Sequence, residues 1–350
     1  MDNVFVFILA GGSGERFWPV SRRSTPKHLI SFFSNKTLLE ETIHRIKGLV
    51  PEENLYILSN KDQLSSIAKK LPSFPLEKIL FEPEKRDTAA ASALATAIAA
   101  RHSEEATVVL LPADCKINDR EIFRDQLLSA VLFAQETKSI VAFSIPPTYP
   151  ATGFGYLKLG KTNCFVKNGE KFFPVIRFVE KPSVDAARRY IEEGDCGWNS
   201  GMFLWTVKVF IEETQRWAFP FYHFILEYLE KPLEWESAFI SLPKISIDYA
   251  LMEKTDKIFA LEARFDWNDL GNWISVAEYL DKDEKGNRVK GKMCAYDAKE
   301  NIVVSDSKLV ALCGVNDLIV IESEQAILVC HKDKIHELKK LYEKLPQEFK

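Results

Sequence analysis

The chain has no apolar run near its start long enough to cross a bilayer, no Cys-x-x-Cys pair and no surplus of positive charge. Val4–Ala10 is too short for a membrane span, follows Asp2 rather than a basic segment, and leads into glycines rather than a cleavage site. Neither an anchor nor a secretory leader is expected, and a cytoplasmic protein is. The six cysteines (Cys115, Cys164, Cys196, Cys294, Cys313, Cys330) are scattered, which predicts reduced thiols rather than a disulfide framework, with no structural zinc site. A formal net charge of −4 offers no basic face, so nucleic acid is not an expected partner.

Two nucleotide signatures are missing in substance. Gly12-Ser13-Gly14-Glu15-Arg16-Phe17 has Phe where the dinucleotide fingerprint needs its third Gly to pack helix on strand, so NAD and FAD are not expected. Gly155–Thr162 satisfies the P-loop pattern by letter. That loop works only between a strand and a helix, whereas Tyr156–Leu159 reads as a strand itself and Asn163–Gly169 offers no helix, which leaves Gly160-Lys161 in a turn.

What is present is a buried strand, Val4–Ala10, that runs into Gly11-Gly12-Ser13-Gly14-Glu15-Arg16, with Pro26-Lys27 shortly after. Bare backbone amides can close on phosphate oxygens there, while Arg16 and Lys27 neutralise charge. A nucleotide is the expected ligand.

A 46% hydrophobic content can bury a substantial core, and the length suggests one large domain, residues 1–284, with a smaller one at 285–350. Strands are expected at Val4–Ala10, Leu55–Ser59, Lys78–Phe81, Thr107–Leu111 and Ser139–Ser144, with helices at Leu38–Leu49, Gln63–Lys70 and Thr88–Ala100, as in a Rossmann-like, doubly wound α/β sheet. Asp87 or Thr88 is the expected cap of the alanine-rich helix, whose body needs only close packing to explain it. After about residue 285 short strands at Met293–Tyr296, Ile302–Val304, Leu309–Leu312, Leu318–Ile321 and Ala326–Val329 predict a meander or a few β-helical coils. Asp333–Leu345 reads as a closing amphipathic helix, with nothing catalytic in the tail.

Chemistry-bearing residues gather at the ends of expected strands. Asp114 follows Leu110–Ala113, and Asp266 and Asp269 lie in an aromatic loop, Phe265–Gly271. Two aspartates converging from afar would hold a hard cation of the Mg²⁺ kind; a single Asp in a turn is better explained as a cap, and Asp266 keeps that reading. Phe178–Pro182 and Trp198–Phe203 add Glu180 and Asn199, which suit sugar hydroxyls, and Lys181, which suits a phosphate. Trp198, Phe203, Trp267 and Trp273 read as core and loop anchors.

Together these segments resemble the sugar-1-phosphate nucleotidylyltransferases, most closely the short-form mannose-1-phosphate guanylyltransferases. Ile8–Pro19, Thr25-Pro26-Lys27, Arg86–Ala89, Leu111–Asp114, Gly153–Tyr156, Phe178–Pro182, Trp198–Phe203, Ser246–Lys254 and Trp267–Trp273 carry the likeness. It departs at Asp87 for the usual Asn, Ala90 for Pro, Cys115 for His and His28 for Gln.

The resemblance implies a left-handed β-helix-like C-terminal unit, no cupin-like isomerase extension, and a homodimer. It implies transfer of GMP from GTP to mannose 1-phosphate with Mg²⁺, Arg16 and Lys27 being catalytic and Asp114 and Asp269 binding metal. By the same resemblance Gly11, Gly12, Ser13, Gly14, Glu82, Arg86, Thr88 and Pro112 bind the nucleotide, and Gly155, Glu180, Lys181 and Asn199 the sugar phosphate. Thymidylyl or uridylyl transfer to glucose 1-phosphate, or a non-catalytic regulator that binds nucleotide-sugar, are the alternatives.

Overall fold

The structure, a computed structural model, describes residues 1–12 and 14–350. Its larger sheet has ten strands: β1 (Val4–Ala10), β2 (Leu55–Asn60), β3 (Ile79–Glu82), β4 (Thr107–Pro112), β5 (Ile140–Ile145), β6 (Tyr156–Leu159), β7 (Phe165–Lys167), β8 (Glu170–Val179), β9 (Cys196–Thr206) and β10 (Ile258–Glu262). They run in the order β3-β2-β1-β4-β9-β5-β10-β8-β6, with β7 on β8 and β6 also meeting β9. β1 is parallel to both β2 and β4, so the chain reverses its direction of winding at the β1/β4 boundary. Ligands of open α/β sheets bind at the carboxyl ends of the strands at such a switch point.

Helices cover both faces. On one lie α1 (Leu38–Ile46), α2 (Leu64–Lys70), α4 (Arg120–Thr137) and α5 (Val184–Glu193); on the other α3 (Asp87–Ala100), α6 (Val207–Trp217), α7 (Phe219–Glu230) and α8 (Trp235–Ser241). A short α9 (Trp273–Ala277) follows the loop after β10. α1 starts with a capping box, in which the Glu40 amide donates to the Thr37 hydroxyl and the Thr37 amide to the Glu40 carboxylate. It ends at Ile46 rather than Leu49, because Lys47 leaves helical geometry to bridge Val50.

α3 is buried all round, as its run of small residues predicts: Ala89–Ala99 are sealed, and Trp205 Nε1 donates to Thr96 Oγ1. Its start differs from expectation. Asp87 sits at φ +68° with its carboxylate accepting the adjacent Thr88 amide, and Thr88 Oγ1 accepts from Ile247 N. Neither caps its own helix in the expected way; Thr88 ties α3 to the distant segment that carries Asp248.

The C-terminal sheet comprises β11 (Asp281–Lys282), β12 (Arg288–Tyr296), β13 (Ile302–Cys313), β14 (Leu318–Glu322) and β15 (Ile327–His331), with β12, β13 and β14 stacked in parallel as in a β-helix. The two strands expected at Ile302–Val304 and Leu309–Leu312 are one, since the intervening Ser305 and Ser307 hydroxyls donate to buried Glu322 and keep the segment in the sheet. The closing helix divides into a 3-10 turn at Lys332–Glu337 and α10 (Leu338–Lys344). Its buried positions explain why: Ile335 and Leu338 are three apart, the 3-10 spacing, whereas Leu338 and Tyr342 are four apart.

Asn287 and Asn301 hold successive coils together. The Asn301 side chain donates to Asn287 Oδ1 and to Val315 O and accepts from Leu318 N, all at 2.9–3.0 Å. Asn301→Ala strands the part-buried Val315 carbonyl and Leu318 amide, each at up to roughly 1–3 kcal/mol. A drop of several degrees in unfolding temperature is expected by calorimetry, and a Tm unchanged from the parent would show that the ladder is incidental.

Candidate active site

At the switch point, the loop after β1 is held from behind by β2 and the residues after it. Asn60 Nδ2 donates to Gly11 O, Gln63 Nε2 to Gly12 O, and Ser59 Oγ to Ala10 O. With the Gly11 carbonyl turned toward Asn60, the trans peptide points the Gly12 amide the opposite way. Gly14 has φ +70°, and a Cβ there would lie 2.6 Å from the Lys27 backbone nitrogen. Glycine is thus required twice over, for conformation and for the approach of the segment that carries Lys27.

Lys27 is buried, and its ammonium donates to Asp114 Oδ2 at 2.9 Å and to the backbone carbonyl of Asp269. Asp114 arrives at the end of β4, whereas Asp269 comes from a loop more than 150 residues later. Two backbone bonds between Lys116 and Asn268 zip the two loops together (2.8 and 3.0 Å). Asp266 clamps the same junction, its carboxylate accepting the Asn118 and Asp119 amides and Asn118 Nδ2. Asp266 is therefore a structural turn-former, although it serves a distant loop rather than its own.

The local charges follow from this packing. Burial pushes the Asp114 carboxyl up, but the Lys27 ammonium, with His28 assisting, more than offsets it and holds the group below the ordinary aspartate value. Asp269 is pushed up by burial and by the neighbouring Asp114 charge, against the pull of Lys27 and Arg16. Burial drives His28 down to about 4, so it is neutral beside the pair.

Two cavities meet at Lys27, Asp114, Gly14, Thr88 and Pro112, forming a continuous cleft. The smaller, about 360 Å³, takes in Gly11, Gly12, Glu82 and Asp87. Burial raises Glu82 to about 7, with Asp87 adding to the shift and Lys85 opposing it. The larger, about 500 Å³, takes in Arg16, Asp269, Gly155, Glu180 and Asn199. A Cβ at Gly155 would meet Glu180 Oε2 at 2.6 Å, so its lack of side chain makes room for that carboxylate. Asn199 lies inside the long β9 rather than at a strand end, and its Nδ2 donates to Asp248.

The cleft therefore gathers every residue expected in it that the structure describes except two, while Ser13 lies outside the described residues. Arg86 lines neither cavity, because its guanidinium turns to Glu84 at 2.9 Å. Lys181 pairs with Glu180 and lines a separate outer pocket shared with Asp248. Trp198 and Trp273 are core residues as expected, whereas Phe203 and Trp267 also wall the larger cavity.

Asp248 and Lys339 are among the lining residues to which the sequence assigned no role. Asp248, raised to about 6 by burial and then by Glu180, sat in a recognised segment without a distinguishing spacing. Lys339 reaches the larger cavity from α10, where it reads as one more charged outer position.

The dismissed P-loop match is strand β6 followed by a short 3-10 turn at Lys161–Asn163, so it presents no helix N-terminus. All six cysteines are unpaired, and among the described residues no helix is long and apolar enough to cross a membrane.

Comparison with known proteins adds an independent line. Residues 6–286 match the nucleotidyl transferase family, and residues 291–345 match the MannoseP isomerase/GMP-like beta-helix domain. The mannose-1-phosphate guanylyltransferase of Klebsiella pneumoniae is 34% identical over 353 residues, covering 97% of this chain and 73% of that protein. The enzyme of the same name from Escherichia coli K12 is 33% identical over 362 residues, covering 98% and 74%. A crystal structure described as mannose-1-phosphate geranyltransferase from Thermus thermophilus superposes with a TM-score of 0.87 at 33% identity, covering 97% of this chain and 98% of that one. The chain belongs to the nucleotidyl transferase family.

Proposed function

We propose that the chain transfers GMP from GTP to mannose 1-phosphate, releasing pyrophosphate and forming GDP-mannose. The observation that carries this reading is the Lys27–Asp114 pair at the junction of two cavities, one bounded by the glycine loop and Glu82, the other by Gly155, Glu180 and Asn199. The names of the relatives support the choice of substrates.

A sugar phosphate with a second pKa of about 6 is already largely dianionic at neutral pH, so attack on the α-phosphorus needs no protein base. The difficulty is bringing two anions together. Arg16 and Lys27 supply fixed positive charge where negative charge builds up, and the Gly12 amide adds a donor that needs no reorganisation. Glu180 and Asn199 orient the sugar. Glu82 offers a carboxylate to the adjacent N1–H and N2–H donors of guanine, a pair that thymine and uracil lack.

Asp114 and Asp269 suit Mg²⁺, which takes one or two carboxylates and completes its shell with phosphate oxygens and water. Asp114 gives its Oδ2 to Lys27. Among the described residues no group of three or more potential metal ligands stands ready, so a cation here would depend on substrate phosphate. When bound it would neutralise phosphate charge and hold the reacting groups in register.

Pyrophosphate release over a grid of nucleoside triphosphates and sugar 1-phosphates tests the substrate reading. GTP with mannose 1-phosphate is expected to give the highest kcat/KM, and a preference for dTTP or UTP with glucose 1-phosphate would overturn it while leaving nucleotidyl transfer intact. A second prediction concerns Glu82. Its folded-state value of about 7 is raised, so the accepting carboxylate forms as pH rises through neutrality. The ratio of the KM for GTP in Glu82→Gln to that in the parent should grow severalfold between about pH 6 and about pH 8. A ratio independent of pH would remove Glu82 from base recognition.

A further inference from the structure

We infer that Lys339, on the C-terminal helix α10, is a phosphate-binding residue that engages the terminal phosphates of the nucleotide and the pyrophosphate formed from them. This rests on the nucleotidyl-transfer reading above. Lys339 lines the larger cavity together with Arg16, Lys27 and Asp114, yet lines neither the base-side cavity nor the outer pocket of Lys181. α10 packs against the Glu15–Phe17 turn, which carries Arg16, so Lys339 enters the cavity from the side of that turn.

α10 is docked firmly enough to aim the side chain. Leu338 and Tyr342 are buried in one apolar cluster with Phe17 and Trp18. Tyr342 lies beside Glu15 and Arg23, and Trp18 Nε1 donates to Phe349 O at 2.9 Å. Lys339 follows Leu338 by one position, at the edge of the buried stripe where a long side chain can leave the helix toward the turn.

Its charge is uncommitted. Lys334 and Lys340 are both paired with Glu337, at 2.8 and 3.6 Å, whereas among the described residues no carboxylate lies within ion-pair distance of Lys339. Of the other cations in the cavity, Lys27 is bound to Asp114. The reaction forms a bond from the sugar-phosphate oxygen to the α-phosphorus and breaks the bond to the β-bridging oxygen, whose electron pair leaves with pyrophosphate. Charge therefore accumulates on the departing group, and a cation that is free of a protein carboxylate is suited to meet it.

Lys339→Gln and Lys339→Arg test this with steady-state kinetics in both directions. The Gln variant is expected to raise the KM for GTP, and for pyrophosphate in the reverse reaction, by about tenfold, the equivalent of about 1.4 kcal/mol. The KM for the sugar phosphate should stay within about twofold, and the Arg variant should recover most of the loss. Unchanged GTP and pyrophosphate KM values, an equal rise for the sugar phosphate, or equal losses in both variants with a lowered unfolding temperature would each overturn the assignment. Calorimetric binding of inorganic pyrophosphate to parent and Gln variant separates the two readings. If the parent forms no pyrophosphate from any nucleotide, nucleotidyl transfer fails, while a tenfold weaker affinity in the variant still upholds Lys339 and equal affinities reject it.

Discussion

The site depends on one partly buried ion pair. Lys27 is largely buried, so its ammonium would be costly to keep charged without the Asp114 carboxylate and the Asp269 carbonyl. Most of what surrounds it serves that contact. β1 and β4 lie side by side, which puts the glycine loop and Asp114 at the same sheet edge, and Gly14 leaves room for the Lys27 backbone. The Lys116–Asn268 bridge and the Asp266 clamp deliver Asp269 from across the chain. Removing the ammonium alone, as in Lys27→Met, would leave Asp114 without its partner, so such a variant loses stability as well as rate.

The C-terminal unit is joined to this site rather than appended to it. One apolar cluster runs from Phe17, Trp18, Ile30 and Phe32 through Trp273 to Ile302, Ile319, Leu338 and Tyr342. Lys290 Nζ donates to the carbonyls of Ser31 and Phe32, close in sequence to Lys27. Ordering the turn that carries Arg16 and the segment that carries Lys27 therefore draws on burial contributed by residues 273–342, which couples the fold of the β-helical coils to the geometry of the phosphate site.

Much of this was legible in the sequence, for identifiable reasons. The parallel strands around β1 are short, continuous apolar runs bounded by turn residues, which is how strands buried on both faces read. The glycines, Arg16, Lys27 and the two aspartates stood out because such residues at strand ends have little structural excuse. Less legible was whatever depends on contacts between distant segments. Arg86 turned away to a neighbouring Glu84, a local pairing that no spacing signals. Thr88 caps nothing of its own and instead binds Ile247 N. Lys339 had the pattern of a solvated helix position, and only the docking of α10 against the Glu15–Phe17 turn brings it to the cavity.

If Lys27 and Asp114 act as one unit, a double-mutant cycle on kcat shows it most directly. Lys27→Met and Asp114→Asn should each lower kcat by about 10²–10³, and the double variant should fall no more than a few-fold below the worse single, since removing either partner already disables the pair. A loss in the double variant equal to the product of the two single losses would mean that the residues act independently, and would contradict the dependence of the site on their pairing.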